Sequence, residues 1–382
     1  MRFIVGIIIV FAVFGSANYY IARRIWQCIH IVFPKLNKGI FLGVLALLML
    51  LSVIGFAKSF LPLPDAVKSV VGAVGMYWLG IFIFFLVFFL LADCILLLGK
   101  FARLIPSPLP EKVRLYSGLA VVLVVGFLTV YGIYNAKQIS FVSYDIPLEE
   151  NRLDGEMNVV LISDLHLGAL GSESKLINAV EKINELKPDM VCIAGDIFDN
   201  DFYAVKNPEK AAEALKGIRT RYGVFACLGN HDAGTTVDEM LSFLEQSNVK
   251  ILLDEYTVID NRLILVGRVD GDPIGGFPEA ERKTADYVLA DVDKNLPVLV
   301  MDHNPSNIDE YGNEVDLIVS GHTHKGQIFP GNLITNMIYT VDYGHYRKNS
   351  DSPHVVVTSG LGTWGMPMRV GTKSEIVSIK LN

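Results

Sequence analysis

The stretch GNHD, residues 229–232, follows the apolar run Val224-Phe225-Ala226-Cys227-Leu228 and sets an amide, an imidazole and a carboxylate in a row. A Gly-Asn pair alone reads as a turn. A polar turn closing a buried strand is also where an α/β sheet gathers ligand-binding groups, along the carboxyl ends of its strands. Which reading holds depends on what else in the chain converges there.

Four other stretches have the same form. NVVLISD runs into SDLH (Asp164, His166), and DMVCIAGD into GDIFD (Asp196, Asp199). PVLVMDH ends on His303, and DLIVSGH opens GHTH (His322, His324). Continuous apolar runs capped by polar residues are the pattern of strands buried on both faces. Between them lie helix-period segments, SESKLINAVEKINEL, PEKAAEALKGI and VDEMLSFLEQ. The alternation predicts βαβ units, with antiparallel pairing toward the C-terminus, where HVVVTSG and SEIVSIKL read as strands only. Five of the eight histidines sit at predicted strand ends; His30, His345 and His354 do not. One sheet edge therefore collects residues that span about 160 positions of sequence.

The residue types point to metal chemistry. Residues i and i+2 of an extended chain face the same way, so Asp164 and His166 can grip one cation. Asp196 can bridge two cations through its two oxygens. Asn230, His303 and His322 offer an amide oxygen and two imidazoles for a second cation, and His324 is within reach of the first. Asp, His and Asn without thiolate suit borderline divalent metals, manganese first, with iron, zinc or nickel fitting the same donors. Two such ions bind a phosphoryl oxygen and an activated water together. His231, next to Asn230, points off the metals and can protonate a departing alkoxide, with Asp199 placed to hold its imidazole in one tautomer.

The rest of the chain is physically different. Overall, 382 residues with 51% hydrophobic content and a mean hydropathy of +0.40 are too apolar for an ordinary soluble protein. Up to residue 138 the chain holds twelve Lys/Arg against three acidic residues, and beyond it 21 against 37. A boundary at 138/139 follows: residues 1–138 as a transmembrane region, 139–382 as a catalytic domain. Spans of roughly 20 apolar residues are expected at about 3–21, 40–57, 72–98 and 115–134. The Lys/Arg bias of the short loops puts the first and third loops inside, both termini outside and the C-terminal domain on the extracytoplasmic side. ANYYIARR carries no small-x-small cleavage site, so the first span is read as retained. Asp93, late in the third span, is expected at the membrane interface. An acidic domain has no basic face for phosphate backbones, which argues against a nucleic-acid partner. Cys28, Cys94, Cys192 and Cys227 show no ligand spacing and read as small buried hydrophobes.

The set D-x-H, G-D-x-x-D, G-N-H-D, H and G-H-x-H, in that order over residues 155–382, resembles the calcineurin-like metallophosphoesterases. The resemblance implies an α/β fold, a double β-sandwich flanked by helices, with a dinuclear metal centre at the sheet edge. Its implied ligands are Asp164, His166, Asp196 and His324 for one metal, and Asp196, Asn230, His303 and His322 for the other. His231 would be the general acid and Asp199 its partner. GHTHKGQIFPG and SGLGTWGMPMRVGTKSEIVSIKL resemble the membrane-anchored or secreted bacterial branch, some of whose members cleave nucleotide-linked lipids. Lys325 departs from that branch, which has Gly there, and Arg369 is weighed both as a phosphate contact and as a packing residue.

The expected function is a membrane-anchored phosphohydrolase acting on phosphodiester, pyrophosphate or phosphomonoester bonds, with a lipid-linked substrate suggested by location. The rival is a non-catalytic metal-bound sensor on a membrane anchor, against which His231 weighs. A protein phosphatase lacks its expected Arg after GNHD, which continues AGTT. A Rossmann binder lacks any G-x-G-x-x-G after a strand.

Overall fold

The computed structural model describes residues 2–57, 61, 64–148, 152–277 and 281–382, with the side chains of residues 2–5, 7, 65 and 66 also outside the description. The chain divides into two compact units, Met1–Ile133 and Tyr134–Asn382.

The first unit is helical: α1 Arg2–Val32, α2 Lys38–Phe56, α3 Asp65–Phe101 and most of α4 Glu111–Lys137. Among the described residues, three helices are long and apolar enough to cross a membrane, namely α2, the Val67–Phe101 part of α3, and α4. The first expected span, 3–21, falls on α1, where several side chains lie outside the description. Asp93 is not left as a bare charge. Its carboxylate takes an ion pair from Arg24 at 2.9 Å and a hydrogen bond from the Tyr20 hydroxyl at 2.7 Å. An acid in so apolar a segment is tolerable only with such partners. Cys94, expected to be buried, is exposed.

The second unit opens with β1 Ile139–Ile146 and continues β2 Met157–Ile162, α5 Ser172–Glu185, β3 Met190–Ala194, α6 Pro208–Lys216, β4 Gly223–Cys227, α7 Val237–Gln246 and β5 Val249–Ile251. Then come β6 Glu255–Ile259, β7 Leu263–Gly267, α8 Ala285–Leu289, β8 Val298–Met301, β9 Leu317–Ser320, α9 Gly331–Ile338, β10 Gly344–Tyr346, β11 His354–Val357 and β12 Ser374–Leu381. They build two six-stranded sheets, ordered β1-β12-β2-β3-β4-β5 and β10-β11-β9-β8-β7-β6. The central strands run parallel: β2 with β3, β4 and β5 in one sheet, β7 with β8, β9 and β11 in the other. Antiparallel pairs stand at β12–β2, β6–β7 and β10–β11.

Strand alternation sorts each sheet's side chains between two cores. Val191 and Ile193 of β3 face a cluster with α5, α6 and α7. Met190, Cys192 and Ala194 face the other way, into a cluster shared with Leu265, Met301 and Val319 of the second sheet. Ile264, Val300 and Ile318 pack outward with Val288 and Leu289 of α8. The result is a mixed α/β sandwich of two sheets with helices outside, and Cys192 and Cys227 are apolar filling in its middle. Because both sheets have parallel centres, each presents a row of strand carboxyl ends, and five of those ends carry the unusual residues.

Candidate metal centre

Asp164 and His166 lie just past β2, Asp196 past β3, Asn230 and His231 past β4, His303 past β8, and His322 and His324 past β9. The strand ends deliver them, but the backbone does not stay extended. Asp164, His166, Asp196, His322 and His324 all have φ between 46° and 69°. Asp164 and His166 therefore converge through left-handed turns rather than strand alternation, which corrects the expectation from i, i+2 spacing. Such conformations cost on the order of 1 kcal/mol or more per non-glycine residue and cluster at functional sites.

Three groups of donors result, each with ligand atoms within 4.8 Å of one another: Asp164–His166–His324, Asp196–His303–His322 and His166–Asp199–His231. His166 Nε2 and His324 Nε2 stand 3.1 Å apart, and Asp164 Oδ1 is 3.2 Å from the latter. Oδ2 of Asp196 is 3.2 Å from His303 Nε2 and 3.8 Å from His166 Nε2, so one oxygen faces both of the first two groups. Asn230 Oδ1 and His322 Nδ1 are 2.9 Å apart. Asp164, His166, Asp196, Asn230, His231, His303 and His324 are buried, and Asp199 and His322 half-buried.

These contacts test whether the residues fit divalent ions. His303 Nδ1 donates to the Ala194 carbonyl at 2.7 Å, which leaves the Nε2 lone pair facing the Asp196 carboxylate. A lone pair and a carboxylate oxygen repel unless a proton or a cation sits between them. His303 Nε2 is also a buried atom without a hydrogen bond among the described residues. Two Nε2 atoms facing each other at 3.1 Å pose the same demand. Neutral imidazoles, carboxylates and an amide oxygen are the donor set of a borderline divalent ion, so the residues fit.

The electrostatics agree. Burial works to raise the Asp164 and Asp196 carboxyls, but adjacent histidines, His324 for one and His303 for the other, outweigh it and hold both well below the usual carboxylate range. Burial alone would lower His303, yet Asp196 raises it well above its ordinary value. Burial pushes His324 down to about 4 against the pull of Asp164. His231 is also lowered by burial, with Asp196 opposing.

The sequence places Asp199 beside His231. Its Oδ1 lies 3.6 Å from His166 Nδ1, within the same three-residue group as His231. His231 Nδ1 is buried with no hydrogen bond among the described residues, and its ring meets Trp364 edge-on at 6.0 Å. Arg369 is fully buried. Its guanidinium donates to the carbonyls of Ser359, Gly362 and Lys373, with Nη2 3.3 Å from His324 Nδ1. It packs behind a candidate ligand and offers nothing to a phosphate in solvent. Lys325 has φ 50°, the conformation a Gly takes without strain, and its ammonium sits 3.8 Å from the Tyr343 ring centroid. The face of that ring attracts the charge.

Three further residues shape the site. Asp232 is completely buried and accepts from the backbone N–H of Phe198 at 2.7 Å and of Gly229 at 2.9 Å, bracketing the GNHD turn to the GDIFD turn. The carboxylate in the opening tetrapeptide is thus a brace. Trp364 meets the His231 ring and Tyr339 the His322 ring, the latter at 6.1 Å between centroids. The position of Asp232 within GNHD was a usable signal; for the two aromatics there was none.

Residues 157–326 match the family model described as calcineurin-like phosphoesterase. A Danio rerio protein named a transmembrane protein with metallophosphoesterase domain is 30% identical over 383 residues, 94% of this chain and 81% of that one. An uncharacterized metallophosphoesterase of Aquifex aeolicus is 31% identical over 62% of this chain and 90% of its own length. A Helicobacter pylori relative of the same description is 31% identical over 62% of this chain, and the match spans 63% of that relative's length. With a motif set, a two-sheet sandwich and relatives of this extent in agreement, the chain belongs to the calcineurin-like metallophosphoesterase family.

Proposed function

We propose that residues 139–382 are a dinuclear-metal phosphohydrolase carried on a membrane region of residues 1–138, cleaving phosphodiester, pyrophosphate or phosphomonoester bonds by water attack. The observation that carries this reading is Oδ2 of Asp196, which faces His303 Nε2 at 3.2 Å and His166 Nε2 at 3.8 Å and so can serve two cations. Asp164, His166, Asp196 and His324 would hold one; Asp196, Asn230, His303 and His322 the other, with manganese preferred over iron, zinc or nickel. Bound there, the ions supply Lewis acidity toward a phosphoryl oxygen and activate water.

The chain's own residues supply the rest. The Ala194 carbonyl fixes the His303 ring so that Nε2 is the nitrogen presented to Asp196. The Asp196 carboxylate takes a hydrogen bond from the His231 backbone N–H at 2.8 Å, tying the His231 loop to a residue that would hold metal. His231, buried and unbonded at Nδ1, delivers a proton to the departing alkoxide. Asp199 stands in the same group as His166 and His231 and orients an imidazole there. Burial of the whole set in low dielectric strengthens each of these interactions.

A membrane tether and a phosphoester site on one chain favour a lipid-linked phosphoester, with the domain on the extracytoplasmic face as the Lys/Arg bias argues. The test uses the full-length protein in detergent, stripped of metal and reloaded with Mn²⁺. It is assayed on bis-p-nitrophenyl phosphate, p-nitrophenyl phosphate and a lipid-linked pyrophosphate. Metal-dependent turnover with preference for the lipid-linked ester supports the reading. Folded, metal-loaded protein that turns over none of them overturns it in favour of a metal-bound sensor.

A further inference from the structure

Helix α9 is amphipathic in the wrong sense for a water-facing helix. Side chains turn about 100° per residue along a helix, so Leu333, Ile334, Met337 and Ile338 share one face. That face points outward: the four residues are 54%, 57%, 86% and 68% exposed. No residue of α9 is buried. The polar side carries the helix's hydrogen bonds to the rest of the domain, with Asn332 and Thr335 half-buried and Asn336 exposed. Thr335 donates to Asp342 Oδ2 at 2.7 Å, Asn336 Nδ2 lies 3.4 Å from Oδ1, and Asn332 Oδ1 is buried. A globular protein in water orients such a helix the other way round, and eight residues alone make a marginal helix.

The surroundings say what covers this face. The last turn of α4 belongs to the second unit and is fastened into it. Asn135 there is buried, and its amide donates to the carbonyls of Arg369 at 3.0 Å and Thr372 at 2.8 Å. Between those two residues, Val370 exchanges backbone hydrogen bonds with Gln327 and Phe329, the stretch that leads into α9. Phe329 is itself 42% exposed. Thus the exit of a helix long and apolar enough to span a bilayer and the start of the outward apolar face are joined through one short strand pair. From α9 the surface continues to Tyr339, whose ring meets His322.

We infer that α9 is a membrane-docking helix, its Leu333–Ile334–Met337–Ile338 face inserted among the lipid headgroups and upper acyl chains beside the exit of α4. Interfacial helices bury an apolar face about 5–10 Å into that boundary. The docking brings His322 and the rest of the metal centre to the bilayer surface, so substrates would be met at headgroup level. The inference rests on the apolar face and the anchor, not on the catalytic reading.

The experiment uses the full chain with Cys94→Ser, carrying an environment-sensitive fluorophore on Met337→Cys, or on Glu209→Cys as a water-exposed control. The protein is placed in nanodiscs of phosphatidylethanolamine and phosphatidylglycerol, which leave both faces open to solvent. A spin label near the top of the lipid acyl chain should quench the 337 fluorophore several-fold more than the 209 one, and aqueous iodide should do the reverse. Equal iodide quenching at both positions overturns the inference. So does protection of 337 that persists in lipid-free amphipol and depends on protein concentration, the signature of a second copy on this face. Metal removal should leave the quenching pattern unchanged, which separates this result from the fate of the phosphohydrolase reading.

Discussion

Nε2 of His303 and Oδ2 of Asp196 face each other across 3.2 Å, while the other nitrogen of that ring donates to the Ala194 carbonyl. The carbonyl decides the tautomer, and the tautomer decides that a cation or proton must sit opposite Asp196. If Asp196 bridges two ions, Asp196→Asn should lose more than the roughly 10–100-fold in metal affinity seen on changing an outer-shell partner. Elemental analysis after gel filtration gives the check; retention of two metals per chain by the variant would refute the bridge.

His231→Ala should lower hydrolysis by about 10²–10⁴-fold, the usual contribution of a general acid, with metal content intact. The loss should shrink for p-nitrophenyl esters, whose phenolate leaves without a proton, relative to alkyl esters. A uniform loss across leaving groups would assign His231 to binding instead.

Asp232 holds two buried backbone donors, those of Phe198 and Gly229. Asp232→Ala leaves both unpaired, at about 1–3 kcal/mol for each. Thermal denaturation should show a large drop in stability, together with weaker metal retention because both ligand turns lose their brace. Stability within the error of wild type would mean that water replaces the carboxylate.

Gly229 has no room for a side chain, since a Cβ there would collide with the carboxylate and backbone nitrogen of Asp196. Gly229→Ala should abolish metal binding in protein whose circular dichroism remains that of the wild type. Normal metal content in this variant would show that the GNHD turn can retreat from Asp196.

Lys175 is half-buried, with its Nζ donating to the Ala136 carbonyl and, at 2.7 Å, to Ser374 Oγ. Burial, helped by the positive charge of Arg369, pushes it down to about 6. An unfolded chain titrates this group near 10.4, so between these values the unfolded state binds more protons and folding stability rises with pH. Below pH 6 the cost is at its full value; toward pH 10 it vanishes. Lys175→Met should therefore exceed wild type in stability most at pH 6, with the advantage narrowing steadily by pH 9. Denaturation curves that differ by a constant amount across this range would contradict the assignment.

The sequence by itself determined the composition of the candidate site. An apolar run capped by Asp, Asn or His is a local pattern, and parallel sheets bring strand carboxyl ends together whatever the intervening loops, so the five motifs were legible. The apolar helices were legible for the same reason, since length and hydropathy are local properties. The tertiary structure alone decided how those residues face one another. Left-handed turns, not strand alternation, aim Asp164 and His166. Asp199 comes to 3.6 Å from His166, and Asp232 and Arg369 turn inward to hold backbone. β1 pairs in parallel with β12, 235 positions away at Ile139–Ser374, which no periodicity could announce. Helix α9 had no clear signature either, because its meaning lies in which side faces the protein. Residue type and period are written along the chain; tautomers, braces and outward faces depend on contacts between distant segments, and only folding creates those.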